Sequence, residues 1–216
     1  YFEDYRYSED LDFTLIDDQI TDEYIFDNFK QMFVWVLREA NLPLSIIKNN
    51  VHVSGSINFQ ISYQGPLGGG SNSKRLKVDI TRGEKLIFTP VIKSIFSTYE
   101  DLSECSLSCY PLEEVLIEKM CALIGRTEPR DLYDLWYLLE TAKIEADYYW
   151  PEFIQKAHHK GHNPNQFTAR LRGKVLSFKA RWETSLSTQI HLLPTFEQVT
   201  RELGKHLRKL SSLEIA

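Results

Sequence analysis

The feature that most constrains this chain is a change of hydrophobic period near Pro111. Before it, apolar residues recur at every second position in short runs: Leu11, Phe13 and Leu15; Ile57, Phe59, Ile61 and Tyr63; Leu76, Val78 and Ile80. That is the spacing of half-buried strands. After it the spacing is helical, first in Leu112, Val115, Leu116, Met120 and Leu123, then in Leu132, Leu135, Trp136 and Leu139. Strands first and helices after predict an α+β fold. We expect a mixed sheet with flanking helices over 1–110, followed by a helical domain over 111–216. With 216 residues, 43% of them hydrophobic, the chain can bury one good core and a smaller second one.

Finer signals place the elements. Thr21 or Asp22 caps a helix running to about Ala40, with Ile25, Phe26, Phe29, Met32, Phe33, Val36 and Leu37 as its apolar stripe. A strand is predicted over 51–64, a Gly-rich loop over 65–73, a strand over 75–81 and a weaker extended stretch over 86–110. Further helices are predicted over 130–142, 150–160, 165–186 and 195–210.

No run of about 18 apolar residues occurs, so no membrane span is expected. The three cysteines lack a zinc-type spacing and read as free thiols in a reducing cytoplasm. The chain begins at Tyr1 rather than Met and reads as a fragment. Charge is uneven: residues 1–155 hold 14 Lys+Arg against 26 Asp+Glu, and residues 156–216 hold 11 against 4. A basic end beside an acidic, metal-binding part suits a polyanionic substrate such as RNA, and equally suits the solvated faces of amphipathic helices.

Asp10 and Asp12 stand one residue apart on a strand, so both point to the face opposite Leu11 and Phe13. Two carboxylates aimed at one place repel unless a cation sits between them, and Mg²⁺ accepts such oxygens while keeping positions open for phosphate. Asp79 shares a strand face with Lys77 and Thr81, and is the natural third carboxylate if the strands are neighbours. Three carboxylates can hold two Mg²⁺ that clamp the attacking and leaving oxygens of an in-line displacement. The plainer reading is an acidic edge strand that discourages aggregation.

Lys119 falls inside an apolar helical stripe, where its stem snorkels or its ammonium meets an anion. Thr127 to Asp131 opens the next helix, where a first-turn acid suits the helix dipole. That leaves unexplained the density of charge between two apolar helices: Lys119, Arg126, Arg130, Asp131 and Asp134.

These residues resemble a family. Arg6 to Phe13 (RYSEDLDF) resembles the metal-binding signature of the AbiEii-type nucleotidyltransferases, toxins of abortive-infection and toxin–antitoxin systems. The run from Leu112 to Lys119, followed by Ala122 to Arg126, is similar to the family's third motif, and Arg126 to Leu135 to its fourth. Val78-Asp79-Ile80 is similar to the strand that carries the remaining carboxylate.

The resemblance implies a polymerase-beta-like nucleotidyltransferase core with a helical C-terminal extension, transferring a nucleotide from an NTP with loss of pyrophosphate. It implies Mg²⁺ on Asp10, Asp12 and Asp79, with Lys119 at the triphosphate and Asp131 as base toward the acceptor hydroxyl. Ser8, Arg6, Arg126 and Arg130 become candidates for phosphate contact. It also implies an acceptor such as tRNA and, as partner, an antitoxin with a winged-helix domain. The family's Gly-Ser or Gly-Gly element before the Asp-x-Asp strand is absent, and Pro129-Arg130 stands where Lys is common. A metal-dependent nuclease and a non-catalytic binding module that keeps the fold are the alternatives.

Overall fold

The computed structural model describes residues 1–2, 5–52, 54–64, 74–95 and 105–214. The Gly-rich 65–73 loop and the middle of the 86–110 stretch lie outside the described residues. The fold is α+β, with a four-stranded mixed sheet and a helical part. It divides into two compact units, one of Ser8–Glu84 and one of Tyr1–Tyr7 with Lys85–Ala216.

The division thus falls at 84/85 and not near 110, where the hydrophobic period changes. Two contacts account for the difference. Ile87 and Phe88 pack against the helical core, and their backbone N–H groups donate to Glu114 Oε2 at 2.9 and 2.8 Å. Phe2 and Tyr5 pack against the same core, so the first residues of the chain belong with the last.

In Ser8–Glu84, strands β1 (Asp10–Thr14), β2 (Leu44–Val51), β3 (Ile57–Tyr63) and β4 (Lys74–Thr81) form a sheet in the order β1-β4-β3-β2. β1 runs parallel to β4; the other pairs are antiparallel. Alternation along β3 and β4 buries Ile57, Phe59, Ile61, Val78 and Ile80 on one face. Helix α1 (Asp22–Ala40) covers that face with Ile25 and Phe33, and the Phe29 ring meets Phe59 edge-on at 4.8 Å. Thr21 caps α1 by accepting from the Tyr24 N–H, and Asn41 ends it at φ 50°.

Two expectations change here. The strand predicted over 51–64 starts only at Ile57, and β2 precedes it unannounced. β2 hides because Ile46 and Ile47 are adjacent and the pairing shifts between Ile46 and Lys48, which breaks the alternation. Leu11 and Phe13 face the expected side but are 41% and 44% exposed, because β1 is an edge strand.

In the other unit, β5 (Val91–Ser94) and β6 (Ser106–Cys109) form a small antiparallel pair, followed among the described residues by six α-helices. These are α2 (Leu112–Gly125), α3 (Pro129–Trp136), α4 (Trp150–His159), α5 (Phe167–Gly173), α6 (Val175–Leu186) and α7 (Phe196–Leu213). α2 is apolar on most sides, and Leu116, Ile117, Met120, Cys121 and Leu123 are all buried, so it forms the centre of the unit. One ion pair is sealed into this core: Lys156 Nζ lies 2.7 Å from Glu114 Oε1, with neither side chain exposed.

The helix predicted over 130–142 is α-helical only to Trp136 and continues as a π turn, Tyr137–Thr141. The helix predicted over 165–186 breaks at Lys174. There the Lys174 ammonium donates to the carbonyls of Leu123, Ile124 and Arg126 at 2.7, 2.9 and 2.8 Å, satisfying the C-terminal end of α2. Among the described residues no helix is long and apolar enough to cross a membrane.

Candidate functional site

Two charged constellations carry the candidate residues, one in each unit. On the sheet, the parallel register sets Asp12 opposite Asp79 and Asp10 opposite Lys77. The antiparallel register adds Asn58 opposite Asp79 and Gln60 opposite Lys77. Opposed residues share a face, so these six side chains form one polar surface on the side of the sheet away from Phe59 and Val78. The Lys77 ammonium donates to Asp79 and lies 3.9 Å from Asp10 Oδ2. The Asp79 hydrogen bond raises the Lys77 pKa, and the charges of Asp79, Asp10 and Asp12 add to it.

Does this surface suit Mg²⁺? Among the described residues, no three His, Cys, Asp or Glu side chains converge closely enough to hold a metal ion as they stand. The donor chemistry nevertheless fits: all the ligands are hard carboxylate oxygens, and those of Asp10 and Asp79 remain 25% and 29% exposed. Carboxylates from two strands already collect around one positive charge, the Lys77 ammonium, which stands in for a cation. Lys77 is a residue that the sequence reading placed on the right face without giving it a role.

The second constellation joins α2, α3 and the N-terminal arm. Asp131 and Asp134, three residues apart on α3, share a helix face. Asp131 is fully buried and accepts two hydrogen bonds from Arg126, Nε to Oδ2 at 2.6 Å and Nη2 to Oδ1 at 2.9 Å. Lys119 Nζ lies 2.6 Å from Asp134 Oδ2 and 3.3 Å from Asp131 Oδ1. Its ammonium therefore meets anions rather than snorkelling to water.

Arg6 grips Asp134 with a bidentate fork, Nε to Oδ1 at 2.7 Å and Nη2 to Oδ2 at 2.9 Å. The Tyr5 hydroxyl donates to the same carboxylate. Burial would raise the Asp134 pKa, but the hydrogen bonds and charges of Arg6 and Lys119 outweigh it and hold the carboxyl below its ordinary range. Burial and Asp134 raise the Tyr5 pKa, which keeps that hydroxyl a donor. Three cations against two carboxylates leave this cluster positive.

The remaining candidates differ in availability. The Ser8 hydroxyl turns back to the Asp10 carbonyl at 3.1 Å. Arg6 spends its guanidinium on Asp134 and on the Tyr7 carbonyl, so it is a holding residue rather than an open phosphate contact. Arg130, half-buried at the start of α3, makes no ion pair among the described residues. Tyr5, Lys77 and Asp134 had no site role in the sequence, although Asp134 belongs to its dense charge cluster between the two apolar helices. The i, i+3 spacing of Asp131 and Asp134, and the strand face shared by Lys77 and Asp79, were the signals that could have found two of them.

The fold that carries these two constellations has counterparts among known proteins. The family described as nucleotidyl transferase AbiEii toxin, Type IV TA system, matches residues 1–202, and the chain belongs to it. The crystal structure of JHP933 from Helicobacter pylori is similar at 15% identity and a TM-score of 0.51, covering 99% of this chain and 79% of that one. A second H. pylori structure, that of a candidate nucleotidyltransferase, is similar at 16% identity and a TM-score of 0.58, covering 99% of this chain and 82% of that one. At such identities the likeness shows the fold. No curated protein matches the chain.

Proposed function

We propose that this protein is an Mg²⁺-dependent nucleotidyltransferase toxin that moves a nucleoside monophosphate from an NTP to an RNA acceptor such as tRNA. The observation that carries this reading is the register of β1 and β4, which sets Asp12 beside Asp79 and gathers Asp10 and Asp79 around one positive charge. Asp10, Asp12 and Asp79 would hold Mg²⁺, which supplies charge neutralisation for a triphosphate and activates an oxygen nucleophile. In the reaction the acceptor oxygen bonds to the α-phosphorus, the bond to pyrophosphate breaks, and the hydroxyl proton passes to solvent or to the Asp131 carboxylate once that is uncovered.

Lys119 presents its positive charge to the triphosphate, held in place by Asp131 and Asp134. Arg130 is available for a further phosphate contact. Asp131 can act as base only once its carboxylate is uncovered, since a base must reach the proton that it takes. As it stands, Asp131 positions Lys119 and Arg126. The protein works inside the cell, and an antitoxin is its partner.

The test is incubation of the protein with each labelled NTP, Mg²⁺ and total tRNA. Label should appear in RNA and vanish in Asp12→Ala, and that substitution should relieve growth inhibition. RNA that shortens without any NTP would replace transfer with nuclease chemistry. No label transfer and no relief by Asp12→Ala would overturn the enzymatic reading.

A further inference from the structure

The helical unit contains a cavity that the transfer chemistry does not use. It measures about 400 Å³ and lies among α3, α5, α6 and α7. Leu132, Leu171, Phe178, Phe196 and Leu203 line it, and all five are core side chains no more than 6% exposed. The walls are therefore fixed by packing rather than by loop placement. Its volume falls within the roughly 300–1,000 Å³ usual for small-ligand sites, and its lining is mainly apolar, as such sites are.

Two arginines complete the lining, Arg172 from α5 and Arg208 from α7. Neither makes an ion pair among the described residues. Several nearby acids are already engaged. Glu202 accepts from Trp136 Nε1 at 2.7 Å, Glu197 pairs with Lys179 at 2.6 Å, and Glu214 accepts from Thr168. Residues 156–216 carry 11 Lys+Arg against 4 Asp+Glu, so acids to quench these guanidinium groups are scarce.

Gly204 shapes the same wall. A Cβ built there would meet Arg208 Nη1 at 3.8 Å, so the guanidinium lies over the glycine. Thr200, Leu203, Gly204, Leu207 and Arg208 recur at helical spacing, which makes one stripe of α7 a wall of the cavity.

We propose that this cavity binds a small amphiphile with one anionic head, a carboxylate or phosphate, on Arg172 and Arg208 and its apolar body against Phe178, Phe196 and Leu203. An apolar slot alone would take any hydrophobe; two guanidinium groups that make no ion pair among the described residues select an anion, because their planar forks match carboxylate and phosphate oxygens. The inference rests on no part of the nucleotidyl-transfer reading.

The test titrates the full chain calorimetrically with decanoate, decyl phosphate and decanol. One of the two anions should bind one equivalent at least about tenfold tighter than decanol, and which one decides the head group. Arg172→Gln with Arg208→Gln should weaken the anion by about tenfold or more and leave decanol unchanged. Gly204→Phe should abolish binding of all three, with thermal melting used to verify folding. The two glutamine substitutions lie on exposed side chains and keep the test valid if Gly204→Phe does not fold. No binding of either anion, or anion affinity unchanged in the double variant, would overturn the proposal.

Discussion

The two charged constellations are built in opposite senses. On the sheet, three carboxylates share a half-open face with a single lysine, and the surface stays short of positive charge. On the helices, Arg6, Lys119 and Arg126 surround two nearly inaccessible carboxylates and leave a surplus of it. A surface short of positive charge at the rim of a sheet attracts a cation, and on the proposed reading its carboxylates would close in to hold one. A buried pair of acids tied by three cations is a fixture that holds Lys119 in place. On the proposed reading, the difference separates residues that would receive a ligand from residues that would position another side chain.

Substitutions can break that contrast. The largest effect should come from Asp134→Ala, which leaves the half-buried Arg6 without its carboxylate and Lys119 with Asp131 alone. Removing one member of a buried pair costs roughly 3–5 kcal/mol, to be read as the shift of a urea midpoint. A loss below about 1 kcal/mol would show the cluster to be as loosely held as a surface pair.

Acid should reveal the same bond. The folded Asp134 carboxyl titrates below the value of about 3.9 for an unfolded aspartate. Its stabilising contribution is therefore complete above that unfolded value and is lost as pH falls through the lower folded one. Denaturation of the wild type and Asp134→Asn should differ most near neutrality, and the gap should shrink below about pH 4. A gap that does not depend on pH would mean that the contribution is packing rather than charge.

The sheet should respond through binding rather than stability. Asp79→Asn should weaken Mn²⁺ binding, followed by electron paramagnetic resonance, by about tenfold or more while moving stability by less than about 1 kcal/mol. The smallest effect is expected of Lys77→Met. Removing the resident ammonium should tighten Mn²⁺ by about two- to fivefold, the worth of an exposed ion pair. Weaker binding would instead make Lys77 a supporting residue of the carboxylate face.

Much of the candidate chemistry was legible because it obeys local periods. The alternation around Asp10, Asp12 and Asp79 gave their common facing, and the apolar stripe around Lys119 marked it as a lysine in need of an anion. Burial depth was less legible: Leu11 and Phe13 follow the strand pattern, yet an edge position leaves them partly open. Least legible were partners remote along the chain. Nothing near Lys156 announces that it will be sealed against Glu114, 42 residues away. Nothing near Lys174 announces that it will close the end of α2 about 50 residues earlier, at a point where the helical pattern continues without a visible break. Local propensity cannot see a long-range hydrogen bond that interrupts it.

The arm formed by the first residues carries a consequence for the order of assembly. Tyr5 and Arg6 close onto Asp134, which follows them by 129 and 128 positions. On a ribosome, where folding proceeds as the chain emerges, these two residues must wait while the whole Ser8–Glu84 insert is made and can fold ahead of them. The positive fixture on the helices would then lock only after the sheet, and a nascent chain stalled before α3 would carry a finished sheet and an unfinished clamp.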